Sequence, residues 1–150
     1  MHDDTTARTI ENLDRLLADA TVFYQKMRHY HWNVSGPRFY RYHALFESLY
    51  EGWAEAIDGI AERILQLGGV PRHTLADMLA AATLSEDREV PPAEEMLRRT
   101  AADLRVLRGR LREAAEGAEG DGDRVTAGLL DGLCAGVEKN LWMIGATLGA

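Results

Sequence analysis

The chain has 150 residues, a formal net charge of −7 and a single cysteine, Cys134. The length suits one domain, residues 1–150, with a real core. The charge disfavours non-specific binding to DNA or anionic membranes, which rests on Lys and Arg, and the lone Cys134 permits no intrachain disulfide and reads as a small buried hydrophobe. No apolar run approaches the ~20 residues that cross a bilayer, and MHDDTTARTI lacks the basic-then-apolar signal pattern. The expectation is a cytoplasmic protein suited to collecting cations.

Residues 1 to 4 read as disordered, and Thr5 or Thr6 as the cap of a first helix reaching about Val34. Ile10, Leu13, Leu16, Leu17, Ala20, Phe23, Tyr24, Met27 and His31 recur along it at three- and four-residue spacings, an amphipathic signature. Ser35-Gly36-Pro37 ends it, Gly suiting the left-handed position after a helix and Pro the first turn of the next. A second helix is predicted from Pro37 to Leu67, about 45 Å long at the standard rise, and it needs partners along its length. Gly68-Gly69-Val70-Pro71 stops it. Thr74 followed by Asp77 resembles a capping box and opens a short helix over residues 74–81. After the polar loop from Ser85 to Val90, Pro91-Pro92 start a third long helix to about Gly117. Asp121 or Asp123 caps a fourth, to about Leu148. In that last helix Gly128, Gly132 and Gly136 form a smooth strip whose plainest use is tight packing inside the bundle. The whole is all-α: a four-helix bundle with a short extra helix in the connection between helices two and three. That connection must cross the bundle's length if the two helices run parallel.

The second helix carries the chemistry. His43 and Glu47 are four residues apart, as are Asp58 and Glu62, so each pair shares a helix face. The step from Glu47 to Asp58 is close to three turns, which keeps all four on one side. One chain cannot close them on one ion: His43 and Asp58 lie ~22 Å apart along the axis, whereas a ligand atom sits ~2 Å from its metal. The two pairs are, however, placed symmetrically about a point between Gly52 and Trp53. An isologous contact brings residue i of one copy against residue j of the other, and the reverse. Two antiparallel copies of this helix crossing there set His43 and Glu47 against the partner copy's acids at positions 62 and 58. Gly52 lets the backbones approach, and each dimer gains two equivalent sites. His31, at the end of the first helix, can approach His43 across the break. Imidazole with carboxylate suits Fe, Mn or Zn better than Ca or Mg.

Plainer roles stand beside these. A single helical His is more often a surface or satisfied residue than a ligand, and Glu62-Arg63 and Glu55 with Asp58 read equally as solvated charges. Trp32, Trp53 and Trp142 read as core residues, His29 and His73 as structural, and His2 as disordered. None of the five histidines has Glu three residues before it, so the Glu-x-x-His pattern of di-iron centres buried within one bundle is missing.

The segment HWNVSGPRFYRYHALFESLYEGWAEAIDGIAERILQLGGVP strongly resembles the Dps family, the ferritin-like DNA-protection proteins of starved cells and their non-DNA-binding miniferritin members. The shared pattern is His-Trp-Asn at the end of the first helix, Gly-Pro and an aromatic, His-x-x-x-acid, Asp-x-x-x-Glu-Arg and Gly-Gly, with LWM at residues 141–143. The resemblance spans nearly the whole chain. It implies a hollow dodecamer with ferroxidase sites at two-fold interfaces, oxidising Fe(II) with hydrogen peroxide and storing ferric mineral. His31, His43 and Glu47 would be metal ligands from one subunit, and Asp58 and Glu62 from its neighbour. Trp32 would stand near the iron as an electron donor or radical trap. Glu47 falls where the family commonly has Asp, and its extra methylene puts the second, weaker metal position in doubt. Pores at the three-fold axes would take iron inward past Asp121, Asp123 and Asp131, although Asp121 and Asp123 read equally as helix caps and Gly128 stands where an Asp is often found. A Lys- or Arg-rich tail, on which DNA binding in the family rests, is lacking: Arg8 stands alone before the first helix against Asp3 and Asp4, and the chain stops at Gly149-Ala150. Strong direct DNA binding is not expected. The alternative is a DNA-compacting nucleoid protein of the same fold with little ferroxidase activity.

Overall fold

The computed structural model describes residues 4–149, in five helices: α1 (Asp4–Asn33), α2 (Phe39–Gln66), α3 (Leu75–Ala81), α4 (Ala93–Gly120) and α5 (Arg124–Leu148). The predicted architecture is the one observed. Helix α1 already includes Asp4, one of the residues expected to be disordered, and an acidic side chain in the first turn suits the positive end of the helix dipole. Residues 1–3 lie outside the described residues. Two differences have local causes. Pro37 stays outside α2, because Gly36 takes a φ of 114° and accepts from the Phe39 N–H in a turn before the helix begins. Helix α4 passes the expected stop at Gly117, because Ala118 is buried and the residue that turns the chain is Gly122, with φ 80°.

The helices form two antiparallel hairpins, α1 with α2 and α4 with α5, closed over one core. Leu13, Leu17, Phe23 and Met27 of α1 meet Phe46, Ile60 and Ile64 of α2 and Met96, Leu97, Leu104 and Leu107 of α4, all without solvent exposure or nearly so. Cys134 is buried as expected. The strip of Gly128, Gly132 and Gly136 does not pack inside the bundle: all three are exposed, with nothing within 4 Å of where a side chain would begin. The close approach falls at Gly69 instead, where a Cβ would stand 2.9 Å from Ile10 Cγ2 and 3.0 Å from Ile64 Cγ2.

The connection from α2 to α4 runs along α1 in α1's own direction. Arg72 donates its N–H to Asp14 at 2.9 Å and pairs with the same carboxylate through Nε at 2.7 Å. Asp19, only 1% exposed, accepts from the Thr83 N–H (2.6 Å), the Thr83 hydroxyl (2.8 Å) and the Leu84 N–H (3.0 Å). Near the far end Asp87 accepts from the Tyr30 phenol at 2.5 Å, and the Glu89 carbonyl accepts from His29 Nε2 at 2.7 Å. The chain has by then travelled from the start of α1 to its end, so α4 begins beside the start of α2, with Arg38 and Glu94 3.7 Å apart. Helices α2 and α4 therefore run parallel, and α3, capped by the Thr74 hydroxyl accepting from the Asp77 N–H at 3.1 Å, lies in the crossing.

Candidate metal centre

His31 lies in the last turn of α1 and His43 near the start of α2, and the tight α1–α2 turn brings their rings face to face. The centroids are 3.7 Å apart and the planes within 13° of parallel. The hydrogen bonding is reciprocal: Nδ1 of His31 meets the His43 carbonyl at 2.7 Å, and Nδ1 of His43 meets the His31 carbonyl at 2.7 Å. A carbonyl oxygen only accepts, so both Nδ1 atoms carry the proton, and in each neutral ring the remaining lone pair is on Nε2. Fixing one ring nitrogen by a hydrogen bond so that the other is free to ligate is the usual support of a metal-binding histidine. His31 is buried at 8% exposure and His43 is half-buried, so the rings are held in place.

Glu47 stands one turn beyond His43 and is half-buried, whereas Asp58 and Glu62 are exposed on the far half of α2. Arg63 turns away from Glu62 to Asp123 (3.0 Å) and to the Thr126 hydroxyl (2.9 Å). Among the described residues Asp58 and Glu62 make no hydrogen bond or ion pair within the chain, and no three His, Cys, Asp or Glu side chains of the one chain gather as a metal-holding group. The structure thus joins His31 to His43 and keeps the second acid pair apart. Gly52, between the two pairs, is exposed with open space beside it.

Aromatic rings wall the histidines. Phe39 stacks on His43 at 4.8 Å, and Tyr50 meets the His31 ring edge-on at 5.3 Å. Tyr24 meets Tyr50 in turn at 5.9 Å. Tyr50 was not singled out in the sequence, although it stands seven residues after His43, on the same helix face. Burial first, then the negative charges of Glu47 and Glu51, push the Tyr50 phenol above its ordinary pKa. Trp32 is 56% exposed, with the Arg28 guanidinium 4.9 Å over its ring. Trp53 is buried as expected, but Trp142 is 69% exposed and not a core residue of the single chain.

The three candidate pore acids differ. Asp123 caps α5, accepting from the Thr126 N–H at 3.0 Å and from the Thr126 hydroxyl. Burial opposes its ionisation, but the Thr126 bonds and Arg63 outweigh it and hold the carboxyl below the usual range. Asp121 follows α4 and pairs with Arg8 at 2.9 Å. Asp131 is exposed on α5.

A family model for the ferritin-like domain matches residues 10–150. A DNA protection during starvation protein of Brevibacillus brevis is 40% identical over 136 residues, 91% of each chain. Among solved structures, the Dps protein of Bacillus brevis superposes with a TM-score of 0.96 at 38% identity over 99% of both chains. The Dps protein of Vibrio cholerae O1, described as a member of a broad superfamily of ferritin-like diiron-carboxylate proteins, superposes at 0.93 with 33% identity, over 96% of this chain and 91% of that one. Sequence and fold agree with the resemblance carried by residues 31–71: the chain belongs to the ferritin-like family and, within it, to the Dps proteins.

Proposed function

We propose that this protein is an iron-storing, iron-detoxifying miniferritin, and that it oxidises Fe(II) at sites shared between two subunits. The observation that carries this is the His31–His43 pair, with both Nδ1 atoms committed to carbonyls and both Nε2 atoms available to a borderline cation such as Fe(II). Glu47 adds a carboxylate on the same helix face, and the neighbour's copy of Asp58 and Glu62 completes the set around a two-fold axis near Gly52. Two imidazoles hold the ferrous ion, and the carboxylates favour the ferric product, because negative ligands stabilise the higher charge. Iron is the substrate and hydrogen peroxide the oxidant: each peroxide accepts two electrons, one from each of two Fe(II) ions. The ferric product moves into the cavity of a hollow dodecamer and mineralises there.

Consuming Fe(II) and peroxide together prevents hydroxyl-radical formation, which protects DNA without contact and agrees with the formal charge of −7. Within this proposal the protein is cytoplasmic; among the described residues no helix is long and apolar enough to cross a membrane. Iron would pass inward by pores lined by Asp121, Asp123 and Asp131; Asp121 pairs with Arg8 and Asp123 with Arg63, whereas Asp131 makes no intrachain pair among the described residues. The test is anaerobic Fe(II) loading, then peroxide, followed by absorbance on a size-fractionated sample. Replacing His31 and His43 together by Ala should abolish fast oxidation while leaving the assembly intact. Unchanged oxidation in that variant contradicts the proposal.

A further inference from the structure

Positive charge gathers at the end of the bundle where α2 begins and α5 stops, and pairing within the chain does not absorb it. The first turn of α2 carries neither an acid nor a side-chain cap, so the positive end of its dipole is open. Arg38 stands at the N-cap position and Arg41 three residues on, on the same side of the helix. Arg38 meets Glu94 only loosely, at 3.7 Å, and Glu94 is shared with Arg98 at 3.6 Å. Among the described residues Arg41 makes no hydrogen bond or ion pair. Both arginines line a cavity of about 350 Å³ with Tyr42, Leu45 and Thr147, and no Asp or Glu lines it. Tyr42 is only 4% exposed. Its hydroxyl accepts from Arg38 Nη1 at 3.4 Å, but among the described residues its own proton has no acceptor, whereas a buried phenol usually finds one. The Thr147 hydroxyl donates to the Met143 carbonyl at 2.8 Å, so it competes for none of these donors.

We propose that this cavity is a binding site for a phosphate-class oxyanion, held by Arg38, Arg41 and the Tyr42 hydroxyl. Guanidinium forks match the oxygens of such an anion in pairs, and the buried phenol adds a third donor at a fixed place. A phosphate group has lone pairs enough to accept from all three, and the open end of α2 favours its charge. The chain as a whole carries −7, so it does not attract anions in general, and binding here must come from the local site. Two arginines about one cavity suit a single phosphate group; a phosphate polymer needs a longer run of cations. The proposal goes beyond the iron-oxidation reading and does not depend on it.

The experiment is isothermal titration of the assembled, metal-free full chain with inorganic phosphate and, separately, with adenosine monophosphate, in a buffer without phosphate or sulfate. Saturable binding at one per subunit is expected; binding of either compound upholds the site, and the tighter of the two names the source of the phosphate group. Arg41→Ala and Arg38→Ala should each weaken it by roughly tenfold or more. Arg41→Lys keeps the charge but not the fork and should fall between Arg41→Ala and the unaltered protein. Tyr42→Phe keeps the buried ring, so the fold should persist by circular dichroism, while affinity drops by roughly tenfold. Arg105→Ala, exposed on α4 away from this cavity, should change nothing. No saturable binding, an affinity indifferent to Arg41→Ala or Tyr42→Phe, an equal loss in Arg105→Ala, or displacement of phosphate by duplex DNA overturns the proposal. Because no iron is present, each of these results leaves the ferroxidase reading to its own test.

Discussion

Replacing His31 and His43 by Ala, singly and together, in the iron-free protein measures how firmly the metal-binding rings are pre-set. Each ring donates to the other residue's backbone carbonyl, which survives substitution of that other side chain. A single substitution therefore removes one hydrogen bond, about 0.5–1.5 kcal/mol, and the ring contact at 3.7 Å, about 0.5–1.5 kcal/mol more. The double variant loses both hydrogen bonds but the ring contact only once. It should cost less than the sum of the singles by the contact alone, about 0.5–1.5 kcal/mol. His31→Ala should be the costlier single change, because His31 is 8% exposed and leaves a void. Urea unfolding at fixed subunit concentration, with a chelator present, reads the four stabilities. Additivity within about 0.3–0.5 kcal/mol would show that the rings are not in contact before iron arrives.

Three further outcomes follow from the fold. Asp19→Ala removes the acceptor of three hydrogen bonds and strands the Leu84 N–H in a buried place, so it should cost about 2–5 kcal/mol in urea unfolding; a loss below the error of the method would mean that the crossing is held elsewhere. Lys26→Met leaves Asp103, 2.6 Å from the Lys26 ammonium, without its counter-charge, a loss of about 3–5 kcal/mol at neutral pH. Burial already raises the Asp103 pKa against the pull of Lys26; with Lys26 gone it rises further, so the variant's deficit should shrink as pH falls and the carboxyl takes a proton. Asp87 has the opposite sign: burial opposes its charge, but bonds from Tyr30, the Glu89 N–H and Arg99 prevail and hold its pKa low. Its contribution is present above the ordinary carboxylate value and lost as pH falls through the lowered one. Asp87→Asn should flatten the acid limb of a circular-dichroism titration, and an identical acid limb would refute this.

Helix number, order and the crossing were legible because each rests on a local signal: apolar spacing, the Thr74 cap, the glycine and proline breaks. The symmetric placement of His43, Glu47, Asp58 and Glu62 about Gly52 was legible because it is arithmetic along one helix. What the sequence hides is long-range pairing. Asp19 lies in an apolar run, and nothing there tells that its partners are Thr83 and Leu84. Lys26 looks like an ordinary helical cation until Asp103 is placed against it. The exchange of carbonyls between His31 and His43 depends on backbone geometry in the turn, which side-chain identities do not encode. Gly117 reads as a stop because glycine permits one, but burial of Ala118 carries the helix on to Gly120, just before the turn at Gly122.

The sharing of a site between subunits is open to a mixing experiment. One variant carries His31→Ala with His43→Ala; the other carries Asp58→Ala with Glu62→Ala. Each alone should be without fast peroxide-driven Fe(II) oxidation. Unfolded together in equal amounts and reassembled, half of the two-fold dimers pair one of each, and each such dimer holds one intact site, so about a quarter of the original rate should return. A mixture as inactive as its components, with mixed cages confirmed by mass, would contradict a site completed by two copies of this chain.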